Sequence, residues 1–442
     1  MAQRLTRRAN PIEDRKCRTR PSAHGGDACH YRRRRQCTAG RSVASREPRI
    51  PMEMIMWTRR TFFKAGVACA TLVFSGARVR FADAALRTDK RFVVLTLRGG
   101  LDGLAAVPAH GDPDYASLRG SLALPKSGAG APIDLDGFFG LNPALHNLSE
   151  MWREKELVIF HNVATPYRDR SHSDAQNVLE TGSTKPYLVN DGWLNRALQP
   201  LGLDTGNGAL AVRSSPPLLL DGAARVISWM PSRVPPADED FLARVGFLYA
   251  KDEVLAPANW QRPNGQGNGP AASIALLMEG AGKILAAPDG PRVAVFDISG
   301  WDTHFDQGAG DGQLTRRLRA LDEGLAALKT TLGPIWKRTA VVAASEFGRT
   351  VAVNGTGGTD HGTGGVAFLM GGMVAGGMIH AEWVGLKQRA LRDGRDLPAR
   401  TDTRSVFKGA LADHLGVSKS QLELSVFPDS GATPAFKELF RT

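Results

Sequence analysis

The sequence predicts an α/β fold, a three-layer sandwich with a mostly parallel central sheet. Short apolar runs recur along the 442 residues, and amphipathic segments lie between them. Each strong run also passes at its carboxyl end into a polar cluster rather than into a tight hairpin turn. Runs of this length bounded by polar loops suit strands buried on both faces, and their alternation with helical patterns suits crossover connections.

The chain begins with a segment unlike the rest. Its formal net charge is +12, of which residues 1–50 carry +10 and residues 51–84 carry +3, leaving −1 for residues 85–442. The basic balance therefore implies no nucleic-acid partner for the body of the chain. Residues 1–51 lack apolar periodicity and read either as a disordered basic extension or as sequence ahead of a true start at Met52, Met54 or Met56. Residues 52–84 pair Arg59 with Arg60, continue through an apolar run from Ala65 to Ser75, and end on Ala82-Asp83-Ala84. This is the layout of a twin-arginine export signal cut after Ala84; it predicts passage through the twin-arginine translocon to the periplasm or the exterior. The apolar run is too short for a permanent span, so no stable membrane span is expected after cleavage. Cys17, Cys29, Cys37 and Cys69 all precede residue 85, so the body has neither a disulfide nor a thiolate ligand.

From residue 85 onward one α/β domain is expected. Its strands are read at Phe92–Leu97 ("FVVLTL"), Leu157–His161, Val293–Ile298 and Ala340–Ala344, with a weaker run at Val366–Met370. Helices are expected at Pro143–Lys155, Asp174–Glu180, Glu239–Ala250, Ala272–Ala286 and Gln313–Leu332. Residues 201–270 are rich in Pro and Gly and read as an insertion. The Gly-rich stretch 355–377 lacks the ending of a phosphate-binding P-loop, and Gly-x-Ser-x-Gly and His-Glu-x-x-His are absent.

In a parallel sheet the loops at the carboxyl ends of the strands gather into one crevice. Asp102, then Arg168, Arg170, Ser171 and His172, then Asp302 and His304, then Glu346 and Arg349 all follow such ends, and Asp360-His361 lies in the glycine-rich loop beyond. Each has a plain alternative. Asp102 could make a turn, Ser171 and His172 could begin a helix, Glu346 and Arg349 could pair, and Asp360-His361 could be a solvated turn. Together these oxygen and nitrogen donors suit one or two divalent cations, zinc first, because several carboxylates do not gather without a counter-charge.

The motifs "RGGLDGL", "GLNPALHNLSEMW", "RSHSDAQNVLETG", "GWLNRAL", "GWDTH" and "SEFGRT…DHG" resemble the bacterial domain-of-unknown-function family 1501 over nearly all of residues 90–430. That family is similar to the alkaline phosphatase and sulfatase superfamily. The resemblance implies a metal site made by Asp102, Asp302, His304, Glu346 and His361, with Ser171 in the neighbourhood of the nucleophile; His172 and Asp360 join them as candidate ligands by their place in the polar clusters. Arg168, Arg170 or Arg349 would hold the anionic group. Two departures stand out: Glu346-Phe347 replaces an Asp-His dipeptide, and the sulfatase Cys-x-Pro-x-Arg motif is missing. The expected activity is metal-dependent hydrolysis of a small phosphate or sulfate ester. The alternative is a non-catalytic exported binding or assembly protein that retains the fold.

Overall fold

The computed structural model describes residues 88–204, 208–231 and 273–441. The basic extension, the export signal and the helix expected at 239–250 lie outside the described residues.

Among the described residues the central sheet has nine strands: β1 (Arg91–Arg98), β4 (Leu157–Ala164), β5 (Ala209–Val212), β6 (Val226–Ser228), β7 (Val293–Ser299), β8 (Thr339–Ala344), β9 (Gly365–Met370), β10 (Met378–His380) and β11 (Thr401–Asp402). Their spatial order is β10-β4-β9-β8-β1-β7-β5-β6, with β11 pairing along β4. The short strands β2 (Ile133–Asp134) and β3 (Gly140–Leu141) form a separate antiparallel ribbon. In the main sheet β9 alone runs against its neighbours β4 and β8, and the other pairings are parallel.

Strand alternation sorts side chains into the two outer layers. Val93, Leu95 and Leu97 of β1 face one apolar cluster and Phe92 and Val94 the other; Val341 and Ala343 of β8 oppose Ala340, Val342 and Ala344 in the same way. The first cluster is covered by α3 (His146–Arg153), α6 (Ile274–Ala286) and α7 (Gln313–Leu332). The second is covered by α5 (Trp193–Leu201) and α8 (Thr403–Leu415), where Trp193 stacks on Phe407 at 4.7 Å between ring centres. Each fully buried Val, Leu or Phe contributes about 1.5–3 kcal/mol, so a sheet covered on both faces needs no disulfide.

The expected insertion at 201–270 is corrected at its start. Ala209–Val212 and Val226–Ser228 are strands of the main sheet, extending it beyond β7. Their four and three residues are too short for a periodicity to stand out among the surrounding glycines and prolines.

Candidate metal centre

The carboxyl edges of β1, β4, β7 and β8 face the same way, and the amino end of antiparallel β9 lies on that edge too. This geometry explains how Asp360 and His361, which precede a strand instead of following one, reach the residues after β7 and β8. The segment between β8 and β9 folds on itself through Gly348 N–H to Thr363 O (2.9 Å), Gly362 N–H to Gly348 O (2.8 Å) and Thr350 N–H to Asp360 O (2.9 Å). A Cβ on Gly348 would collide with the carbonyl of Gly364, so this approach requires glycine. Gly99, at φ +122°, permits a similar approach: a Cβ there would sit 2.5 Å from the amide nitrogen of Asp302.

One ligand atom from each of His172, Asp302 and His361 lies within 4.8 Å of the others. His172 is the first residue of α4 (His172–Thr181). Asp302 is the hub: its Oδ1 accepts from Arg349 Nη1 at 2.6 Å and lies 3.0 Å from His304 Nε2 and 3.2 Å from His361 Nε2. Burial acts to raise the Asp302 pKa, but Arg349 and the neighbouring imidazoles outweigh it and hold the carboxyl below its usual range.

The far nitrogens of two rings are anchored. His361 Nδ1 lies 2.9 Å from the carbonyl oxygen of Arg170, and His172 Nδ1 lies 2.8 Å from Glu346 Oε1. Each anchor is an acceptor, so each Nδ1 carries a proton, and in the neutral rings both Nε2 atoms present lone pairs to Asp302. His172 Nε2 is buried without a hydrogen-bond partner among the described residues and lies 3.4 Å from Asp302 Oδ2. His304 Nε2 meets His361 Nε2 at 2.9 Å, while its Nδ1 lies 3.3 Å from Asp360 Oδ1. Imidazole lone pairs beside a carboxylate form a donor set that fits a divalent cation. Phe347 backs the cluster, with its ring 4.8 Å from His172 and 5.1 Å from His361.

The protonation preferences of the two rings diverge. The hydrogen bond to Glu346 raises the pKa of His172 against the effect of burial, whereas burial and the nearby His172 and Arg349 charges lower that of His361. Asp360 is held low, first by the Asn354 amide and then by His304.

Asp102 is a correction. It is 1% exposed and caps the one-turn helix α1 (Gly103–Ala106) through Ala105 N–H at 3.1 Å. Its other oxygen takes Arg119 Nη2 at 2.6 Å and Gln307 Nε2 at 2.7 Å. Both oxygens are thus spent inside the protein, on a helix cap and a buried ion pair.

The three arginines are also engaged internally. Arg349 donates to Asp302 and to Thr359 O at 2.5 Å. Arg170 pairs with Asp393 at 2.6 Å and Asp396 at 2.7 Å, and Arg168 Nη1 donates to the carbonyls of Thr165 and Tyr167. Ser171 is the N-cap residue of α4, and its side chain makes no capping hydrogen bond.

Two participants escaped the sequence reading. Gln176 donates to Glu346 Oε1 at 3.0 Å, and Asn354 donates to Asp360 Oδ1 at 3.1 Å. Gln176 stands four residues after His172 on α4, a spacing that places both on one helix face and could have flagged it.

Residues 277–422 match the model of the family described as "Protein of unknown function (DUF1501)", a span that contains "GWDTH" and "SEFGRT…DHG". No curated protein matches the chain. Among solved structures it is similar to Ps i-CgsB in complex with k-i-k-neocarrahexaose, at 11% identity over 76% of this chain and 74% of that one, with a TM-score of 0.39. It is similar also to the C-terminal periplasmic domain of EcEptC from Escherichia coli in complex with Zn, at 12% identity over 80% and 90%, with a TM-score of 0.35. A third is the phosphonate monoester hydrolase of Agrobacterium radiobacter, at 13% identity over 74% of each chain, with a TM-score of 0.31. Among the described residues no helix is long and apolar enough to cross a membrane.

Proposed function

We propose that the protein is an exported metal-dependent hydrolase of small phosphate or sulfate esters, with one divalent cation, zinc first, held by His172, Asp302 and His361 beside His304. The observation that carries this reading is the pair of imidazoles anchored at Nδ1 so that both Nε2 atoms converge on one carboxylate. A structural ion pair would not need three rings around Asp302. Export rests on the twin-arginine segment of the sequence.

When bound, the ion would supply Lewis acidity toward an ester oxygen and acidify a coordinated water. The chain's own groups do the rest. Arg349 holds Asp302 in place, while Glu346 and the Arg170 carbonyl hold the rings of His172 and His361 in register. His304, partly exposed between Asp302, Asp360 and His361, can carry a proton to or from a leaving group at Nε2. Ser171, at the start of α4 with no capping bond on its hydroxyl, is the alternative nucleophile to water.

A second reading, a non-catalytic exported binding or assembly protein, is favoured by one observation. Arg168, Arg170 and Arg349 are already spent on internal acceptors. Elemental analysis of the purified chain together with phosphatase and sulfatase substrate panels separates the two. The hydrolase reading expects one ion per chain, lost on His361→Gln, and turnover of at least one ester class that depends on that ion. Metal without turnover supports the binding reading, and a chain that neither retains nor takes up a divalent ion overturns the hydrolase reading and its metal site.

A further inference from the structure

We infer that Glu346 is not a ligand but a positioning residue that fixes the tautomer of His172, and that Gln176 and Arg98 in turn fix Glu346. The inference rests on the metal-binding reading above and assigns that site its supporting chain.

The Glu346 side chain is fully buried, and it is not among the residues whose ligand atoms converge with those of His172, Asp302 and His361. Oε1 receives Gly99 N–H at 2.8 Å, Gln176 Nε2 at 3.0 Å and His172 Nδ1 at 2.8 Å, while Oε2 lies 3.1 Å from the Ser345 hydroxyl. Three donors on Oε1, the oxygen that faces His172, leave that oxygen no direction for a cation. The carboxylate instead dictates which ring nitrogen of His172 carries the proton, and so which one is free to bind.

The same logic runs one step further back. Arg98 Nη1 lies 2.6 Å from Gln176 Oε1, and a guanidinium can only donate, so the Gln176 amide cannot turn over. Its NH2 must then face Glu346. Arg98 is held by Glu180 at 2.5 Å and by Asp297. A continuous series of oriented groups therefore links β1, α4 and the end of β8 to His172 Nε2, the ring nitrogen of the cluster that has no hydrogen-bond partner.

The test uses Glu346→Leu, which removes the acceptor, Glu346→Gln, which keeps a neutral one, and Gln176→Leu, which removes the support and spares the buried carboxylate. Two quantities are read: Zn2+ and Mn2+ affinity by calorimetry, and the His172 ring nitrogen shifts in metal-free protein with 15N-labelled histidine, followed with rising pH until they stop changing and the ring is neutral. The expected result is an Nδ1–H tautomer in the wild type, lost in Glu346→Leu with affinity lowered about 10–100-fold. Glu346→Gln should recover both in part, and Gln176→Leu should lower affinity in the same direction by a smaller factor. An unchanged tautomer with unchanged affinity in Glu346→Leu and Gln176→Leu overturns the inference. Complete loss of binding in both Glu346 variants with the tautomer intact also overturns it, by making Glu346 a ligand. If the wild type binds neither ion, the metal reading fails, and the tautomer in the metal-free protein still decides the role of Glu346.

Discussion

Replacing Asp302 by Asn alters a charge while keeping the shape, and so separates two roles of one side chain. Arg349 is fully buried, whereas 43% of the Asp302 side chain is exposed, so water screens part of their attraction. A charge-assisted hydrogen bond contributes about 1.5–3 kcal/mol. In the variant Arg349 keeps Thr359 O at 2.5 Å and Gly99 O at 3.4 Å. Taking the screened end of that range, the metal-free Asp302→Asn chain should be less stable by about 1–2 kcal/mol. A divalent ion at about a hundred times its dissociation constant should add about 2.7 kcal/mol to the wild type. The amide, a weaker and uncharged ligand, should reduce that increment to below about 1 kcal/mol at the same ion concentration. Urea unfolding followed by tryptophan fluorescence, with EDTA and with Zn2+ or Mn2+, reads both numbers. The full ion-induced increment in Asp302→Asn would refute Asp302 as a ligand. A metal-free Asp302→Asn chain as stable as the wild type would refute a stabilising contact with Arg349.

Two further outcomes follow from buried groups. Asp102→Ala strands Arg119, whose side chain is fully buried, and should cost about 3–5 kcal/mol in denaturant unfolding while leaving the number of bound ions unchanged; loss of metal from a folded variant would return Asp102 to the site. Burial pushes His414 down to about 4 from 6.5, its Nε2 donating to Arg91 O at 2.9 Å. The folded chain therefore holds fewer protons than the unfolded one between those values. Its contribution is present above about pH 6.5 and is lost as pH falls toward 4, about 1.4 kcal/mol per unit and roughly 3 kcal/mol in all. His414→Gln should flatten that part of the stability-against-pH curve, and an unchanged slope would contradict the assignment.

The strands were the most legible part of the fold. β1, β7, β8 and β9 lie within a residue of the apolar runs, and α7 spans the predicted Gln313–Leu332, because burial on both faces and a long amphipathic period leave strong patterns. β5 and β6 were too short to leave one, and nothing local to Gly365–Met370 tells that it runs antiparallel. At the site, His172, Asp302 and His304 could be placed on one edge from strand ends alone, whereas His361 reaches that edge only because β9 runs antiparallel. The role of Asp102 could not, because Gln307 lies 205 residues away and Arg119 meets Asp102 only through the fold. The replacement of Asp-His by Glu346-Phe347 raised doubt in the sequence. In the structure Glu346 accepts from one imidazole and Phe347 backs two, so the dipeptide supports the rings from behind.

The antiparallel course of β9 has a dynamic consequence. Because β8 and β9 are neighbours in the sheet, residues 345–364 leave and re-enter at the same edge, and their cross-connections join Glu346, Arg349 and His361 into one short excursion. Its hydrogen bonds tie its two limbs to each other, so they should form and break together. Amide exchange of Gly348, Thr350 and Gly362 should slow together when the cation binds, so that holding the ion and ordering the excursion become a single event.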